Sequence, residues 1–286
     1  MYDPEYVAAR RTLLDALGAL GGQRQALVLV GAQAIYHHTG AGTLAVAEYT
    51  TDADIAVDPR LLLPLPGLAD AMERAGFFLA DPQGAVGIWS SRQIIVGMPA
   101  IVTVDLLVPE ALGGAGRRAA RMGGNHGKRT AMKAHGLEAA VVDNEPTALG
   151  ALDPADARSF EIRVAGPAAL LISKVHKVGE RVEAAATGGR EDRVKDKDAL
   201  DILRLLRAVD LSLTAARLRD LALDGLAGGV TKEAVARMPE LFRDVASPGS
   251  QMAARAAAGA EDPDIIAASC VALVKEFLND VKTAGS

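Results

Sequence analysis

Cysteine occurs once in this 286-residue chain, at Cys270, which excludes an intramolecular disulfide and argues against a zinc cluster. The five histidines (His37, His38, His126, His135 and His176) show no ligand spacing and read as structural or solvent-facing. No run of eighteen apolar residues is present, so no membrane-spanning helix is expected. The start, MYDPEYVAARR, is acidic and lacks the apolar core of a signal peptide, and the expectation is a soluble, cytoplasmic protein. Positive charge is not in excess. The net charge of -5 means that any contact with nucleic acid must come from a local basic patch.

What is abundant is apolar residues, at 50% of the chain, enough for one large core or two modest ones. At this length a two-part architecture is expected, divided into 1–165 and 166–286. Asp3-Pro4 reads as an N-cap followed by proline at the first helical position, and Val7, Leu13, Leu14, Leu17 and Leu20 keep near-helical spacing until Gly21-Gly22. A helix is predicted within Leu61 to Gly76, and strands near Gly87 to Trp89, Arg92 to Val96 and Ile101 to Val108, with Gly97-Met98-Pro99 as a turn.

The organising stretch is Ala26 to Asp58. It reads as a buried strand to Val30, a turn at Gly31, a short helix through Tyr36 and His37, a glycine-bearing loop and a strand carrying Asp52 and Asp54. Strand side chains alternate faces, so these two carboxylates converge, and they repel unless a cation sits between them. Hard oxygen ligands suit Mg²⁺. The same pattern also describes the solvent face of an edge strand, with Asp52, Asp54 and Asp58 outward and Ala53, Ile55 and Val57 inward. The turn at Gly31 and Ala32 follows an apolar strand and opens a helix, where backbone N–H groups can meet phosphate. Farther on, IVTVDLLV sets Asp105 among apolar neighbours, where an unpaired charge is costly to bury.

Between Ala111 and Leu137 lie Arg117, Arg118, Arg121, Lys128, Arg129 and Lys133, and the core of the stretch, GGAGRRAARMGGNHGKRTAMKAHG, holds no acid. Such a cluster suits a phosphate backbone, although a solvated basic loop has the same composition. No aromatic residue is interleaved, so base stacking is not indicated there, and the glycines predict poor order without a partner. A strand near Phe160 to Val164 leads to a helix that places Lys174, Lys177 and Arg181 on one face and Leu171, Val175, Val178 and Val182 opposite. After Thr187-Gly188-Gly189 comes another helix, KDALDIL, with Asp198 and Asp201 near its N-terminus, where the helix dipole favours anions. Beyond Asp210 the chain reads as alanine-rich helices broken at Gly228-Gly229, Pro239, Pro248-Gly249 and Pro263, with no catalytic motif.

VGAQAIY followed by TTDADIAVD resembles the signature of the nucleotidyltransferase superfamily, an apolar strand, a Gly-Gly or Gly-Ser turn and a D-x-D on the next strand. Gly31 matches the first glycine, and Ala32 departs from the second. Joined to the lysine helix and KDALDIL, the pattern is similar to the AbiEii and MenT type of toxin in toxin-antitoxin systems, over about residues 26 to 207. The resemblance implies an α/β fold, a mixed β-sheet flanked by helices with a C-terminal helical lobe. It implies that Asp52, Asp54 and Asp105 hold Mg²⁺ or Mn²⁺, that Lys174 contacts nucleotide phosphates, and that Asp198 completes the site with Asp196 as a competitor for that role. Gly31, Ala32 and Thr51 would line the phosphate approach, assisted by Lys177 and Arg181. The implied activity is transfer of a nucleoside monophosphate from a nucleoside triphosphate to RNA, most specifically the tRNA 3′ end, with a cognate antitoxin as partner. Protein AMPylation and a catalytically inactive nucleotide- or RNA-binding regulator are the alternatives.

Overall fold

A computed structural model describes residues 2–40, 44, 49–79, 86–188 and 196–283. The chain divides into two compact units, one of 1–34 with 48–165 and the other of 35–47 with 166–286. The first unit is α/β. The second is helical.

In the first unit, α1 (Pro4–Ala19) is capped as the sequence predicts, with the Asp3 carboxylate accepting from the backbone N–H of Glu5 at 2.8 Å. One 3-10 turn later the chain enters β1 (Leu27–Val30), buried on both faces. Then follow α2 (Gly31–Thr39), which passes into the second unit from Ile35 on, and β2 (Asp52–Val57), α3 (Leu68–Arg74), β3 (Phe78–Leu79), β4 (Ile88–Ile95), β5 (Met98–Pro109), β6 (Met132–Ala134), β7 (Asn144–Gly150) and β8 (Ser159–Ala165). The strands form a mixed eight-stranded sheet in the order β3-β4-β5-β2-β1-β8-β7, with β6 alongside β5. β2 lies inside the sheet, antiparallel to β1 and parallel to β5. It is therefore not an edge strand, and Asp58 at its end is buried with its carboxylate held by Arg60 at 2.7 Å. The solvent-face reading of Asp52, Asp54 and Asp58 fails on both counts.

One face of the sheet packs on α1, which covers β2, β4, β5 and β8. Leu13, Leu14 and Leu17 of the helix are buried, as are Ala53, Ile55, Trp89, Val102 and Val104 of the strands. Each large apolar side chain removed from water contributes about 1.5–3 kcal/mol, so this layer is the main support of the strands that carry the acids. The two strands predicted between Gly87 and Val96 are one, β4, and its hairpin with β5 turns on Val96-Gly97 rather than on Gly97-Met98-Pro99. Both turn residues have positive φ (50° and 78°), as a two-residue hairpin matching the strand twist requires.

The second unit contains α4 (Pro167–Ala186), α5 (Lys197–Ala208), α6 (Leu211–Leu223), α7 (Gly228–Phe242), α8 (Pro248–Ala257) and α9 (Pro263–Thr283). α4 packs on α5, α6 and α7, and α5 packs on α8 and α9. Of the predicted breaks, Gly228, Pro248 and Pro263 open helices, whereas Pro239 lies inside α7. Among the described residues no helix is long and apolar enough to cross a membrane.

Candidate functional site

The register of two strands, β2 and β5, assembles an acidic face. Asp54 of β2 is the direct partner of Asp105 on parallel β5, and Asp52 is the partner of Thr103. Directly paired residues project to the same side, so Asp52, Asp54, Thr103 and Asp105 share one face, opposite α1. All four are half-buried. Asp105 is not a lone acid in a strand, because its neighbour across the ladder is another carboxylate.

Gly31 closes one side of this face. Its φ is +69°, and a Cβ built on it would lie 2.7 Å from Cγ of Asp54. Only glycine leaves room for that carboxylate, which thereby meets the N-terminal end of α2, where the helix dipole favours negative charge. Ala32 follows it, buried in α2, and Thr51 is exposed just before β2.

Residues that sequence reasoning missed fix Asp52. Thr50, fully buried, donates its hydroxyl to Oδ1 of Asp52 at 2.6 Å. Gln33 donates Nε2 to the Asp52 carbonyl at 3.1 Å, and its Oε1 accepts from Nε of buried Arg10 at 2.7 Å. Arg10 also donates to the Gly150 carbonyl at 3.0 Å and to the Tyr6 hydroxyl at 3.2 Å. The Thr-x-Asp spacing was a usable signal for Thr50, since hydroxyls commonly bond two residues along. Nothing in the order of residues joins Arg10 to Asp52.

The basic stretch is more organised than its glycines suggest. Ala120 donates to Ala131 and Lys133 to Arg118 through the backbone, and the indole of Trp89 donates to the Thr130 carbonyl at 2.9 Å. Arg117, Arg118, Arg121 and Lys128 are exposed. Arg129 and Lys133 are half-buried, and the Lys133 amine ties the loop together by donating to the carbonyls of Gly114 and Gly116.

In the second unit, Lys174 does not stand in solvent as a phosphate-binding cation would. It is 3% exposed, and its amine donates to Asp198 at 2.6 Å and to Asp201 at 2.7 Å. Arg181 pairs with the other oxygen of Asp198 at 2.6 Å, so two cations meet two anions in a neutral cluster joining α4 to α5. Burial alone would raise the Asp198 pKa, but Lys174, Lys177 and Arg181 hold it well below the usual carboxylate range. Burial likewise works against a charged Lys174, and the two aspartates override it and push its pKa up. Asp196, the competitor for Asp198, is engaged elsewhere, forming two bonds of 2.8 Å with Arg255. Lys177 is the exposed cation of the α4 trio.

No family model matches the chain, and no curated protein matches it. A comparison with solved structures finds JHP933 from Helicobacter pylori, 11% identical with a TM-score of 0.45, over 100% of this chain and 97% of that one.

Proposed function

We propose that this chain is a metal-dependent nucleotidyltransferase that moves a nucleoside monophosphate from a nucleoside triphosphate to an RNA acceptor, the tRNA 3′ end. Blocking that end would stop aminoacylation, so the protein would act in the cytoplasm as a translation-blocking toxin, answered by a cognate antitoxin. The observation that carries the reading is the in-register pair Asp54 and Asp105, with Asp52 on the same face and a glycine making room beside them.

Asp52, Asp54 and Asp105 share one face and offer hard carboxylate oxygens, the donor chemistry that suits Mg²⁺ or Mn²⁺. The bound ion would supply charge neutralisation at the triphosphate and an acidified acceptor hydroxyl. The chain's own residues do the holding. Asp52 is fixed by Thr50 and by the Gln33 bond to its carbonyl, and Asp54 is set against Gly31. Exposed Arg117, Arg118, Arg121 and Lys128 offer charge to an RNA backbone. Lys174 and Asp198 act by locking α4 on α5 and not by touching the nucleotide.

The test is incubation with each labelled triphosphate, Mg²⁺ and total tRNA. Label is expected at the tRNA 3′ end and is expected to vanish in Asp54→Asn. Full transfer by Asp54→Asn, or no label on tRNA, would overturn the proposal, and label on protein instead would point to AMPylation.

A further inference from the structure

The face that carries the acids continues past them into an exposed apolar ribbon. In the β4–β5 hairpin, Ser90 pairs with Thr103 and Arg92 pairs with Ile101, and Phe78 of β3 pairs with Ser90. Phe78, Arg92, Ile94 and Ile101 therefore lie on the same side as Thr103 and Asp105. Ile94 is 64% exposed and Ile101 56% exposed, although the opposite side of this hairpin packs on α1. The Arg92 guanidinium lies 4.6 Å from the centre of the Phe78 ring, and among the described residues no carboxylate forms an ion pair with it.

We propose that this ribbon is a stacking platform for unpaired bases of the acceptor strand, an inference that rests on the nucleotidyl-transfer reading of the adjacent acids. A planar cation on an aromatic ring, flanked by exposed aliphatic side chains, suits the π-face of any base, and its positive charge suits the phosphates between bases. Placement favours a nucleic-acid strand as the occupant: the Arg92–Phe78 stack lies on the same side of the sheet as Thr103 and Asp105, where the end of the acceptor must come. From Ile101 to Asp105 is about 13 Å along the strand, the length of three or four stacked nucleotides at about 3.4 Å each. Duplex RNA hides its base faces and would find no purchase here. An unpaired 3′ tail lying along β5 would bring its terminal hydroxyl to the acids with its last bases on the ribbon.

The experiment uses the full chain without metal or triphosphate, so that it reads binding and not chemistry. A short single-stranded oligoribonucleotide carrying 2-aminopurine near its 3′ end is titrated by anisotropy and by base fluorescence. Binding with quenched emission is expected, insensitive to added duplex RNA. Phe78→Ala and Arg92→Gln should each weaken it roughly five- to hundredfold, the worth of one stacked base. Arg92→Gln changes an exposed side chain and keeps the measurement interpretable if Phe78→Ala unfolds. Wild-type affinity and quenching in Arg92→Gln would overturn the platform, as would an oligonucleotide that does not bind while the chain self-associates through the hairpin. Platform binding that persists in a chain with no transferase activity would sink the enzymatic reading alone, and normal tRNA labelling by Arg92→Gln with wild-type RNA affinity would sink the platform alone.

Discussion

The carboxylate of Asp54 fills the space that a side chain on Gly31 would need. Gly31→Ala therefore meets two penalties, a left-handed backbone and an evicted carboxylate. Loss of about 1–3 kcal/mol in urea unfolding is expected from the backbone alone. Mn²⁺ binding by calorimetry should fall with it, because Asp54 must swing away from Asp105. Unchanged stability and Mn²⁺ affinity would show that the turn is not the keeper of Asp54.

Asp54 and Asp105 are direct partners across a parallel ladder. An ion that binds the folded state raises the melting temperature, so Mn²⁺ should stabilise the wild type and stabilise Asp54→Asn much less. Melting curves with and without Mn²⁺ check this, and an equal rise in both would remove Asp54 from the metal site.

Removing the Lys174 amine leaves two buried carboxylates facing one arginine. Lys174→Met should destabilise the helical unit by about 3–5 kcal/mol, the usual consequence of breaking a buried pair from one side. Its pH behaviour follows from the directions of the shifts. Asp198 has a lowered folded pKa, so its contribution is complete above the unfolded value near 3.9 and is lost as pH falls toward the folded one. Lys174 has a raised folded pKa, so its contribution is complete below about 10.4 and is lost only as pH rises beyond that. Wild-type stability from this cluster should be flat from about pH 5 to 9, and Lys174→Met should lose stability across that whole window.

Arg10 reaches the acidic face through Gln33 without touching it. Arg10→Met strips bonds from buried Gln33 and from the Gly150 carbonyl, and each group left unsatisfied costs about 1–3 kcal/mol. Because Gln33 steadies the start of β2, Mn²⁺ affinity should also fall, by roughly ten- to hundredfold if the network behaves as an outer shell. A stability loss with unchanged affinity would confine Arg10 to the fold.

Much of the fold was legible because local signals were strong. Asp3-Pro4, the apolar run into Gly31 and the alternation through Asp52 and Asp54 each point to an element that the structure contains. The meeting of Asp54 with Asp105 was legible in kind and not in register, since register across parallel strands is settled by long-range packing. β7, the short β3 and the passage of α7 through Pro239 went unseen, being set by tertiary pairing more than by residue preference. Lys174 illustrates the main limit. Spacing placed it on a charged face, but only the packing of α5 on α4 shows that Asp198 and Asp201 claim its amine.

Trp89 is the chain's one tryptophan, buried in the sheet unit with its indole bonded to the basic stretch at Thr130. Its emission is thus a native optical probe of the sheet, and a spectral shift on adding RNA would report a change at β4 or at the basic stretch bonded to it.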